Sequence, residues 1–84
     1  MGTPSHTELL EACRVLFGHR LDPGFLGHLQ ESGLRAAWRR AALRWHPDRV
    51  PEAAARRRHA DRFIEARQAY GVLRDFLETR VRPA

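Results

Sequence analysis

Lysine is missing from these 84 residues, so all fifteen basic side chains are arginines. Against ten acidic residues they leave a net charge of +5, which calls for an acidic partner: nucleic acid, an anionic membrane or an acidic protein surface. Cysteine occurs once. Cys13 alone excludes a disulfide framework and a thiolate zinc cage, and its place in an apolar pattern makes it a small buried hydrophobe. His6, His19, His28 and His59 show no metal-ligand spacing, so no metal site is expected. No apolar run is long enough to cross a bilayer. The N-terminus lacks the basic and apolar regions of a secretory signal, and His6 stands where an N-myristoylation motif wants Ser or Thr. A cytoplasmic chain without membrane attachment is expected. No phosphate-cradling glycine loop and no set of nucleophile, base and orienter can be assembled, so neither an enzyme nor a cofactor is expected.

What is present is helical periodicity. The length suits one small domain with a modest core. The chain is organised around Leu34 to Val50, LRAAWRRAALRWHPDRV. At roughly 100° per residue, Leu34, Ala37, Trp38, Ala41, Ala42 and Trp45 share an apolar side, and Arg35, Arg39, Arg40 and Arg44 occupy the rest. Leu43 falls in the middle of that arginine face, roughly 180° from Leu34, and is expected to be an exposed apolar contact for a partner. Pro47 cannot donate a backbone hydrogen bond and biases His46 away from helical geometry, so the helix should stop at Trp45. His46 and Asp48 are then presented at a rigid tip.

Around this stretch the chain divides simply. Residues 1–6 are expected to fray, the domain to span 7–79, and 80–84 to fray again. Leu9, Ala12, Cys13 and Leu16 trace the stripe of a first helix that starts near Thr7 and stops at Gly18. Between His19 and Ser32, Asp22 and Pro23 resemble a helix start, and one short turn packed through Phe25 and Leu29 is expected. The central helix should begin near Ser32 or Gly33, with Ser32 as its cap. After the tip comes a long helix beginning near Pro51, with a core stripe of Phe63, Ala66, Tyr70, Leu73 and Leu77 widened by Ala69 and Val72. Asp75 either continues it or caps a short last helix. Arg56, Arg57 and Arg58 read as a solvated face. The expected fold is all-α: an antiparallel helical pair joined by the basic tip, with a short helix in front and room for another behind.

The run AWRRAALRWHPDR resembles the second helix and His-Pro-Asp loop of a J-domain, the DnaJ-like cochaperone module. Phe63 followed by Ala69-Tyr70-Gly71-Val72-Leu73 resembles that family's third-helix motif, and Val15-Leu16 before Gly18 adds to the match, which extends from Leu9 to about Asp75. The resemblance implies a partner: a DnaK-type heat-shock 70-kDa chaperone, whose ATP hydrolysis the module stimulates. His46, Pro47 and Asp48 would form the triggering loop. Arg35, Arg39, Arg40 and Arg49 match basic positions that dock on an acidic surface of the partner's ATPase domain. A monomer is expected. The chain departs from the family pattern by extra residues placed between His19 and Gln30, a slightly long segment from Asp48 to Phe63, alanines at 41 and 66 where larger residues are common, and tryptophans at 38 and 45 where tyrosines are common. It carries no glycine/phenylalanine-rich region and no cysteine repeats.

The residues support these roles without the family. Asp48 is a carboxylate inside a strongly basic stretch, suited to a bidentate pair with an arginine on a partner. Pro47 lowers the entropy lost on docking, and the arginines steer association. A nucleic-acid-binding helical domain explains the charge, but phosphate would repel an aspartate at the tip, so no nucleic acid is expected. A helical interaction module unrelated to chaperones is the remaining alternative.

Overall fold

A computed structural model describes residues 5–18 and 24–81. They form α1 (His6–Phe17), a single turn α2 (Phe25–His28), α3 (Glu31–Trp45), a 3-10 turn (Pro47–Arg49) and α4 (Ala53–Val81). The described residues contain helices and no strands, as the periodicity requires.

The first helix starts earlier than its apolar stripe suggests. Ser5 caps it, its Oγ accepting from the Glu8 amide at 3.1 Å, so Ser5 and His6 belong to the helix rather than to a frayed end. A serine three residues before a glutamate is the spacing of a capping box, a signal more specific than Thr7. Gly18 ends the helix in the left-handed region at φ 87°, its amide donating to the Arg14 carbonyl. Leu9, Ala12, Cys13 and Leu16 are all buried.

Asp22 and Pro23 lie outside the described residues. In α2 it is Leu26 that is buried and Phe25 only half-buried, edge-on to Phe17 at 5.1 Å, while Leu29 is buried just past the turn. The central helix begins at Glu31 with Gln30 at its cap, which corrects the expectation of Ser32; the Gln30 side chain itself makes no capping hydrogen bond. Leu29 and Leu34 supply the physical reason. They occupy the positions before and four after the cap where apolar residues staple a helix start, and both are buried. Glu31, in the first turn, also pairs with Arg35 one turn on.

The last helix runs unbroken for 29 residues. Asp75 does not cap a separate helix: its carbonyl accepts from the Thr79 hydroxyl at 2.9 Å within the same one. The N-terminal end lies at Ala53, two residues beyond Pro51, and the Arg56 amide donates to the Glu52 carbonyl there. At the other end Arg80 is anchored rather than frayed. Its Nη1 donates to the Leu26 carbonyl at 2.6 Å, its Nη2 donates to the Leu29 carbonyl, and its guanidinium lies over the Phe76 ring. Two carbonyls left over at the end of a one-turn helix are thereby satisfied from the opposite end of the chain.

The core sits where α1 and α3 both pack on α4. Small residues supply much of what α3 and α4 bury: Ala37 and Ala41 on α3, Ala66 and Ala69 on α4, beside Leu34 and Leu73. Alanine at these positions lets the backbones approach. The missing volume reappears at the flank, where Trp38 stacks on Tyr70 with centroids 5.5 Å apart and tilts against Phe63 at the same distance. Trp38, Phe63, Tyr70 and Trp45, the last three expected in the core, are all half-buried.

Candidate functional site

Chain geometry at the end of α3 builds the tip. His46 takes extended backbone angles, as a residue before proline must, and Pro47 opens the 3-10 turn. The Arg49 amide donates to the His46 carbonyl at 3.1 Å and the Val50 amide to the Pro47 carbonyl at 3.3 Å. His46 also caps the turn through its side chain: Nδ1 accepts from the Asp48 amide at 3.3 Å. An Nδ1 that accepts leaves the ring proton of neutral histidine on Nε2. The imidazole meets Phe63 edge-on at 5.7 Å, which ties the tip to α4.

Asp48 is thus held by its backbone and free at its carboxylate. Its side chain is 89% exposed, and the nearest cation, the His46 ring, lies 3.8 Å away and is charged only when protonated. Arg49 is braced: Nη1 donates to the Leu43 carbonyl at 3.1 Å, spanning the proline turn back to α3.

The arginine face of α3 is not one surface. Measured from Leu34, Arg35 and Arg39 project at about 100° and 140°, Leu43 at about 180°, and Arg40 and Arg44 at about 240° and 280°. Arg40 and Arg44 face the C-terminal end of α1 across a cleft that Arg14 of α1 and Arg62 of α4 also line. The structure therefore places Arg35, Arg39 and Leu43 on one flank and Arg40 on the other. Arg35 is ion-paired to Glu31, which dilutes its charge, whereas Arg39 and Arg40 have no ion pair or hydrogen bond among the described residues.

Leu43 is 62% exposed, as helical projection placed it. Ile64, 53% exposed on α4, was missed by sequence reasoning; projecting α4 from Ala66 puts it at about 160°, the same signal that revealed Leu43. Arg56, Arg57 and Arg58 are exposed as expected. Among the described residues no group of three or more His, Cys, Asp or Glu could hold a metal ion, and no helix is long and apolar enough to cross a membrane.

The chain is 47% identical over 45 residues to a chaperone protein DnaJ of Rhodopseudomonas palustris (strain BisB18), a match that covers 54% of this chain and 11% of that protein. The similarity supports a J-domain-like region here and spans about a tenth of the relative's length. No family model and no solved structure matches the chain.

Proposed function

We propose that this chain is a J-domain cochaperone that docks on a DnaK-type heat-shock 70-kDa chaperone and stimulates its ATP hydrolysis. One observation carries the reading: a His-Pro-Asp tip, locked by its own backbone bonds and by Phe63, offers an exposed carboxylate that no arginine among the described residues engages, at the end of a basic helix. The partial similarity to a chaperone protein DnaJ points the same way.

In this mechanism the chain performs no chemistry on a substrate. Arg39, with Arg35 on the same flank and Arg49 at the tip, draws the module onto an acidic surface of the partner's ATPase domain and sets its register, while Arg40 on the other flank adds only long-range attraction. Leu43 adds a small apolar contact beside them. Asp48 then pairs with a cation of the partner, an arginine being the best geometric match. The tip is already rigid, so little of that interaction is spent on ordering it. A groove-binding nucleic-acid role fits poorly, because Asp48 would meet phosphate at the leading edge.

The test is single-turnover ATP hydrolysis by a cognate 70-kDa chaperone, with and without the chain, comparing wild type with Asp48→Asn and His46→Gln. Stimulation by wild type and its loss in folded variants are expected. No stimulation by wild type, or undiminished stimulation by the folded variants, removes the proposal.

A further inference from the structure

The cleft between the C-terminal end of α1, the second half of α3 and the first half of α4 has a volume of about 480 Å³. That is within the usual range for small-molecule sites. Its charge is one-sided: among the described residues Arg14, Arg40, Arg44 and Arg62 line it against the carboxylate of Glu65. Two of these guanidiniums are already engaged. Arg14 binds Glu11 through two hydrogen bonds, and Arg62 donates to Glu65 across a long 3.5 Å. Arg40 has no acidic partner among the described residues, and Arg44 lies over the Trp45 ring, its carbon 4.9 Å from the centroid.

The geometry points to this cleft as a binding site for a soluble oligophosphate, either free or as the phosphate tail of a nucleotide. Three separate helices deliver guanidiniums to one concavity, and guanidinium forks match phosphate oxygens in pairs. A carboxylate would neutralise one of them; a chain of phosphates can meet several at once. Leu16, Phe17, Ala41 and Trp45 supply apolar wall. Over such a wall the charges act with less solvent screening than on an open helix face. The stacking of Arg44 on Trp45 also holds one of the two unneutralised guanidiniums in place before a ligand arrives. The Arg56-Arg57-Arg58 run has more charge in sequence but no concavity, and all three side chains are exposed along α4.

Isothermal titration calorimetry of the chain alone, at physiological ionic strength, tests the site with tripolyphosphate, with ATP and with adenosine. Saturable binding of one tripolyphosphate per chain is expected, with none for adenosine. Equal affinity for ATP assigns the site to free oligophosphate, and tighter ATP binding assigns it to a nucleotide; either supports the site. Arg40→Gln with Arg44→Gln should weaken binding by about tenfold or more, the size expected for losing charge-assisted hydrogen bonds. Glu65→Gln should strengthen it. The triple change Arg56→Gln, Arg57→Gln and Arg58→Gln removes more charge and should leave it nearly unchanged. Loss in the triple variant equal to that in the pair, or no saturable binding by wild type, overturns the inference. Circular dichroism confirms that each variant is folded. Because no chaperone is present in this titration, its outcome is independent of the ATPase test.

Discussion

The Arg49 guanidinium donates to the Leu43 carbonyl across 3.1 Å, so the residue that leaves the proline turn is tied to the helix that enters it. Helical register points the Leu43 side chain outward, at 62% exposure, while its carbonyl takes part in holding the tip. The exposed Leu43 and the charged tip are therefore joined by a side-chain bond.

Breaking that tie should loosen the tip without melting the helices. In Arg49→Ala the Leu43 carbonyl loses its extra donor, and the Val50 amide, whose bond to Pro47 is already long at 3.3 Å, should exchange with solvent faster. Amide hydrogen exchange by NMR measures it. Unchanged exchange at Val50 would show that the turn is held by proline and backbone bonds alone.

Leu43→Ala should lower affinity for the proposed 70-kDa chaperone partner several-fold while leaving thermal stability within about 0.5 kcal/mol, since most of the side chain stays in water in the free chain. Surface plasmon resonance and a melting curve separate the two effects. An equal affinity, or a large loss of stability, would contradict an outward contact role.

Arg39 carries a charge with no ion pair among the described residues, whereas Arg35 shares its charge with Glu31. Arg39→Glu should therefore weaken docking more than Arg35→Glu, and the difference should shrink as salt rises because exposed charges are screened. Binding measured across a salt series checks the order. Identical losses in both variants at every salt concentration would sink the argument.

Arg80→Ala should destabilise the fold by about 1–2 kcal/mol, less than the gross value of two charge-assisted bonds because the side chain remains partly in water. Its effect should concentrate on the one-turn helix, whose Leu26 and Leu29 carbonyls lose their donor. Denaturant unfolding gives the first quantity and hydrogen exchange at Gly27 to Gln30 the second. An effect spread evenly over α4 would argue against the clasp.

Burial pushes the Cys13 thiol above its ordinary range, so it stays neutral and unreactive near neutral pH. A group whose folded pKa is raised contributes fully below the unfolded value and loses that contribution as pH rises. Stability should thus fall in the alkaline range, above about pH 8.5 where an exposed thiol ionises. Cys13→Ala should show less of that fall. A thiol reagent that labels the native chain as fast as the denatured chain would refute the buried assignment.

Much of this molecule was legible before its structure, for reasons that are local. Helical projection needs only neighbours three and four apart, so the stripe of α1, the stop at Gly18, the end of α3 before Pro47 and the outward Leu43 could all be read from the chain. Helix starts were read less well. Thr7 and Ser32 carry hydroxyls that suit a cap, but the helices start at Ser5, whose spacing to Glu8 is that of a capping box, and at Gln30, which the apolar pair Leu29 and Leu34 flanks. Ile64 lay within reach of the same projection that found Leu43.

The sequence by itself determined an all-helical chain with a proline-locked, acidic tip on a basic helix, because periodicity, proline geometry and charge are properties of adjacent residues. Only the tertiary structure decided which neighbours those residues acquire. It divided the arginine face, sending Arg40 and Arg44 toward α1 and leaving Arg39 with Leu43, and it carried Arg80 back to Leu26 across 54 positions. It also left the aromatic rings of Trp38 and Tyr70 half-buried and stacked beside the buried alanines of α3 and α4. Such pairings depend on where each helix lies against the others, which packing settles and periodicity does not express.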